Sequence, residues 1–134
     1  MPRARFNDFI ADARAILKDS GLAVLNASVR IVHGDDIALT YAPRDAFSLV
    51  LYINQSADEA GNAAMRAATR RLVDAAIAHG GRFFLPYQLH YTGKQLLASY
   101  PEITSFLAKK REVDPDGLFT STWYRAVSGL VGST

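Results

Sequence analysis

The 134 residues contain no cysteine, which excludes disulfides, thiolate metal sites and thiol nucleophiles at once. Histidine is scarce, with three residues at positions 33, 79 and 90. No two of them stand at the i, i+4 spacing that turns a helix face into a zinc site, so no metal centre is expected. Phosphate cradles are missing too: neither Gly-x-Gly-x-x-Gly nor the P-loop pattern occurs, and no Gly-x-Ser-x-Gly elbow supplies a nucleophile. No apolar run approaches the ~18 residues that span a bilayer. The start, Met1-Pro2-Arg3-Ala4-Arg5-Phe6, lacks the apolar core of a secretion signal. A soluble, cytoplasmic protein without a transmembrane segment is the expectation.

Nor does charge of one sign dominate. Fifteen Lys and Arg against 13 Asp and Glu give a net charge of +2, and the basic residues are scattered, not massed as a nucleic-acid binder masses them. The denser groups, Arg66/Arg70/Arg71 and Lys109-Lys110-Arg111, fall on helical patterns with acids nearby and read as solvated helix faces. No nucleic-acid partner is expected. What is present is an ordinary globular composition, 49% hydrophobic and 21% charged, in a length that makes one domain. Only the polar end, 128–134, reads as a flexible tail.

Periodicity gives the elements. Phe6, Phe9, Ile10, Ala13, Ile16 and Leu17 form one helical stripe, stopped by Gly21. The β-branched stretch Val24 to His33 reads as a strand closed by the turn Gly34-Asp35-Asp36, and Ile37 to Tyr41 as a short extension. Phe47 to Ile53 is the strongest strand, apolar enough on both faces to be central, and without the Arg or Lys of an RNA-binding sheet. Ser56-Ala57-Asp58-Glu59 has capping-box spacing, and a long helix follows with Met65, Ala68, Thr69, Leu72, Val73, Ala76 and Ile77 buried, up to Gly80-Gly81. Arg82 to His90 reads as a further strand. Short helices near Lys94–Ser99 and Glu102–Glu112 end at Asp114-Pro115. The order predicts an α+β fold, a ferredoxin-like antiparallel sheet covered by helices, with extra short C-terminal helices.

Few residues offer chemistry on their own. His79, at the end of the long helix, suits a cation or capping role, and His33, before a turn, suits an exposed one. His90, between Tyr87-Gln88-Leu89 and Tyr91-Thr92-Gly93-Lys94, is open to a structural or a functional reading. The carboxylates at Asp35-Asp36 and Asp114/Asp116 read as turn chemistry, in which Asp bonds its own backbone.

The ordered series Gly80-Gly81-Arg82-Phe83-Phe84-Leu85-Pro86-Tyr87-Gln88-Leu89-His90, Tyr100-Pro101, Phe106, Arg111-Glu112-Val113-Asp114-Pro115 and Leu118-Phe119 resembles the carboxy-terminal end of FAD-linked oxidases of the vanillyl-alcohol oxidase superfamily. The branch in view includes the aldonolactone and sugar oxidases. The resemblance implies a cap domain over 1–127 that covers the flavin and supplies much of the substrate pocket. It implies a reaction in which hydride passes from a hydroxyl-bearing carbon of a sugar, lactone or alcohol to FAD. The larger flavin-holding domain is not in view, so the chain is expected to be inactive alone and to need an FAD-binding domain or subunit in trans, or else to be a truncated product.

Residue by residue, the resemblance implies catalytic roles for Arg30 and His90, with His90 also beside the cofactor, and a substrate wall of Tyr87, Gln88 and Lys94. The family's Glu-x-Arg pair reads here Ser28-Val29-Arg30, with serine in place of glutamate. Its Pro-His-Trp-x-Lys pattern reads Leu89-His90-Tyr91-Thr92-Gly93-Lys94, with one extra residue before the lysine. With these departures the chain looks closer to the broader oxidases of the superfamily than to the aldonolactone enzymes. Arg30 has a second reading, an ion pair with Asp35 or Asp36. The rival reading of the whole chain is a stand-alone ferredoxin-like module that binds a small ligand or homodimerises through apolar surface such as Phe83–Tyr87.

Overall fold

Residues 1–132 are described in the structure, a computed structural model. A 3₁₀ turn, Arg3–Arg5, leads into helix α1 (Phe6–Ser20). Phe6, Phe9 and Ala13 of α1 are buried, as their spacing predicts, and Gly21 ends the helix at φ +68°, the left-handed region that favours glycine. Strands β1 (Ala23–Val32) and β2 (Ala46–Asn54) pair antiparallel, with Ile31 opposite Phe47, Arg30 opposite Ser48 and Ser28 opposite Val50. A bulge between Val24 and Asn26 leaves Leu25 as the extra residue.

Helix α2 (Glu59–Ala78) lies against α1, and both cover one face of the sheet. Phe47 and Leu49 of β2 and Leu72 and Ala76 of α2 meet Met1, Phe6 and Phe9 there, a first core held by removal of these side chains from water. The start of β2 is also paired on its other side, where Phe47 N donates to Met1 O at 2.9 Å and the Met1 amino group donates to Phe47 O at 2.9 Å. His79 closes α2, and its ring links Asp12 (2.7 Å) and Arg5 (3.1 Å), tying the helix end to α1.

A second core is built from the chain beyond Gly81. Helices α3 (Gly93–Ser99), α4 (Ile103–Val113) and α5 (Thr122–Gly132) bury Leu96, Tyr100, Ile103, Leu107 and Val127 together with Leu85 and Tyr91. Asp114 ends α4 and binds its own turn, accepting from Lys110, from Leu118 N at 2.9 Å and from Phe119 N at 3.1 Å.

The α+β class and the helix-covered antiparallel sheet are as expected, but the sheet has two strands among the described residues. It is the α–β–β–α portion of a ferredoxin-like arrangement, without flanking strands. Arg82–His90 is not a strand, because its backbone is committed elsewhere. Phe83 O accepts from the Tyr100 hydroxyl, Pro86 has no N–H, and a turn falls at Leu85–Pro86. Ile37–Tyr41 is likewise a turn, Thr40 N donating to Ile37 O. Helix α2 begins at Asp58 and not at Ser56, since the Asp58 carboxylate accepts from Gly61 N at 2.7 Å. Within the expected tail, residues 128–132 continue α5, with Leu130 and Val131 packed on the second core; 133–134 lie outside the described residues.

Candidate functional site

Arg30 sits in mid-β1 on the sheet face away from the helices, among Ser28, Ser48 and Val50. It is exposed and forms no ion pair with Asp35, Asp36 or any other carboxylate among the described residues. A cation on an open strand beside two hydroxyls is free to meet an external group.

The other expected residues fall in the segment from Arg82 to Lys94, which is held in place by side chains and not by a sheet. Arg82 grips the Glu102 carboxylate, donates to Thr40 O at 2.7 Å and lies over the Tyr100 ring. Phe84 packs edge-to-face between Tyr41 (5.3 Å) and Tyr87 (5.1 Å), so Tyr87 stands on an aromatic base with 67% of its surface exposed. Gln88 is exposed beside it, its carbonyl accepting from His90 N at 2.8 Å.

His90 is anchored by α2, where Arg70 Nε donates to its carbonyl at 2.7 Å. Burial, and after it the positive charges of Arg66 and Arg70, hold the imidazole below its ordinary pKa. The ring is therefore neutral near pH 7. Its Nε2 is buried with no hydrogen-bond partner among the described residues.

Thr92 and Gln95 then form a reciprocal capping box at the start of α3. Gln95 Nε2 also donates to Arg70 O at 2.9 Å and to Asp74 Oδ1 at 2.7 Å. Lys94 is exposed on this first turn and pairs with no carboxylate among the described residues.

Tyr87, Gln88, His90 and Lys94 thus share one segment, whereas Arg30 stands apart from it. Leu72 points α2 toward the sheet, and Arg70, two residues back and about 200° round the helix, points away from it to His90. The sheet and α2 lie between the two residues assigned to catalysis. Sequence reasoning missed Arg66, Arg70 and Gln95, whose importance comes from contacts across some twenty positions of chain (Arg70 with His90, Gln95 with Arg70). The Thr92-x-x-Gln95 spacing was the one local signal available.

Among the described residues no three His, Cys, Asp or Glu side chains come together as a metal set, and no helix is long and apolar enough to cross a membrane. A groove bounded by Met1, Pro2, Tyr41, Arg44 and Arg82 measures about 220 Å³ counting the solvent at its mouth, and most of that is open solvent. It is too small to enclose a flavin dinucleotide. The neutral His90 and the Tyr87 ring fit such a group only as parts of one wall, and Arg30, on the far face of the sheet, is not part of that wall.

An α+β unit with an open sheet face and a helix-backed segment of aromatic and polar residues is consistent with the carboxy-terminal domain of an FAD-linked oxidase. The family model described as D-arabinono-1,4-lactone oxidase matches residues 1–127, and the chain belongs to that family. The match places it in the aldonolactone branch, from which the departures at Ser28 and before Lys94 had pointed away. No curated protein and no solved structure matches the chain.

Proposed function

We propose that this chain is the substrate-binding cap of an FAD-dependent oxidoreductase that takes hydride from a hydroxyl-bearing carbon of a sugar, lactone or alcohol. The observation that carries this reading is the family match over 1–127. Bound FAD supplies the hydride acceptor. The chain's own residues bind and orient: Arg30, on the opposite side of the sheet and α2 from His90, offers a fixed cation to a group outside the His90 wall. Tyr87 and Gln88 offer an apolar ring and an amide, and Lys94 a further donor. His90, neutral at pH 7, is able to accept a proton from a substrate hydroxyl. An aldonolactone is the substrate class that the family's description suggests, and Ser28 in place of the family's glutamate removes one carboxylate from its recognition.

The flavin is expected from an FAD-binding domain or subunit in trans. Exposed apolar groups held rigidly support such a partner, since Leu118 and Phe119 stand 77% and 79% exposed on the turn that Asp114 binds. The domain spans 1–127 in this reading, and its place is the cytoplasm. The test is to purify the chain alone and then mix it with the FAD-binding domain of a family member. The chain alone should be colourless and inactive, and the mixture should oxidise a lactone or polyol. A stoichiometric flavin retained by the isolated chain would sink the proposal.

One observation favours a second reading, a stand-alone homodimeric or ligand-binding module. Among the described residues the outer edge of β1 is unpaired, and Val29 (54%) and Ile31 (67%) are exposed beside it, with no charge on the strand except Arg30. Light scattering at low micromolar concentration decides it: a clean monomer argues against the dimer.

A further inference from the structure

Four of the eleven arginines are spent on carboxylates: Arg3 on Asp45, Arg5 on Asp8, Arg71 on Asp19 and Arg82 on Glu102. Arg66 and Arg70 differ. They sit at i and i+4 on α2, where like charges are neighbours and repel, yet neither has a carboxylate oxygen within 4 Å among the described residues. Asp74, the next acid along the helix, accepts from Gln95 Nε2 at Oδ1.

We propose that Arg66 and Arg70, backed by His90, form a binding site for an oxyanion, either the carboxylate of an organic acid or a phosphate group. Three features of the site favour this ligand chemistry. Arg70 is held by its Nε bond to the His90 carbonyl, which fixes the guanidinium plane and leaves both terminal nitrogens to make a forked contact, the geometry that suits a planar or tetrahedral oxyanion. Arg66, one turn earlier and exposed, supplies a second fork from the same side. His90 Nε2 is buried with no hydrogen-bond partner among the described residues, a polar group that the fold leaves unsatisfied behind the two guanidiniums.

A bound anion also cancels the repulsion between the two guanidiniums, so binding and helix stability act in the same direction. Lys94, in the first turn of α3, adds a cation with no carboxylate partner among the described residues. The inference does not depend on the flavin reading, because it needs only these side chains. Together with that reading it narrows the substrate to one that carries an acid group as well as a hydroxyl.

The test uses the full chain and two probes, inorganic phosphate and glycolate, each titrated at constant ionic strength while the His90 ring and Arg70 Nε–H resonances are followed by NMR. Saturable shifts at these two positions with either probe support the site, and the probe that saturates at lower concentration identifies the phosphate or carboxylate source. Arg66→Gln should weaken binding about fivefold through loss of one charge-assisted contact. Arg66→Lys should recover part of that loss by restoring charge without the fork. Arg66→Gln with Arg70→Gln should abolish saturation while the far-ultraviolet circular dichroism stays unchanged. Linear drift with both probes, or shifts spread equally over Arg14, Arg44 and Arg125 and unchanged by Arg66→Gln, would overturn the proposal. The oxidase reading fails by a different result, flavin retained by the isolated chain, so the two failures are distinguishable.

Discussion

At the scale of single residues, His90 and Asp114 respond to acid in different windows. Burial and then the charges of Arg66 and Arg70 hold His90 below its ordinary value of 6.5. As pH falls the unfolded chain takes this proton first, so the stability His90 allows is complete above 6.5 and is lost as pH drops from there toward the folded value. Urea midpoints should fall between about pH 7 and 5, and more weakly in His90→Gln. The ring titration seen by NMR should lie below 6.5 and rise in Arg66→Gln; a midpoint at or above 6.5 contradicts the placement. Asp114 behaves in the same sense at a lower pH. The Lys110 ammonium, then the N–H groups of Phe119 and Leu118, hold its carboxyl below 3.8. Its contribution is present above 3.8 and lost as pH falls through the lower folded value. Asp114→Asn should therefore flatten the stability profile only below about pH 4 and leave the His90 window as it was.

At the scale of elements, the start of α2 depends on a glycine with no room for a side chain. A Cβ on Gly61 would collide with the Ser56 carbonyl oxygen, which is backbone and cannot swing aside. Gly61→Ala should cost about 1–3 kcal/mol in urea unfolding, despite alanine's better helix propensity; a stabilised variant would show that the turn before α2 relaxes freely. The same turn explains what was legible in the sequence. Capping-box spacing occurs at Ser56-x-x-Glu59 and at Thr92-x-x-Gln95, and only the second is realised, because Asp58 takes Gly61 N and starts the helix there. The stripes of α1 and α2 and the β-prone run of β2 were readable because burial follows period. Arg82–His90 was not, because nothing local shows that Tyr100 and Arg82 hold the segment to α4 and the 40s loop. His90 was legible as a candidate, but its arginine neighbours on α2 were not, since periodicity shows which face is polar and not what lies against it.

At the scale of the whole molecule, two cores must behave as one. The first joins α1, α2 and the sheet; the second joins α3, α4 and α5. Gln95 is a principal tie between them. It is buried, caps α3 through Thr92, and donates to both Arg70 O and Asp74 on α2. Since Arg70 in turn holds His90, the same tie positions the candidate site. Gln95→Ala removes the bonds to the Arg70 carbonyl and the Asp74 carboxylate and leaves the Thr92 cap without its partner, at about 1–3 kcal/mol, and the loss should fall on the second core. Trp123, the only tryptophan, packs on that core, so its fluorescence reports the second core, while far-ultraviolet circular dichroism is weighted toward the longer α1 and α2. In the native protein the two urea transitions should coincide, as in a single cooperative unit. In Gln95→Ala the Trp123 midpoint should fall below the dichroism midpoint. Thr92→Ala, which removes the cap but keeps the bonds to α2, should lower both midpoints together. If Gln95→Ala shifts both equally, coupling between the cores runs through apolar contacts and not through this side chain.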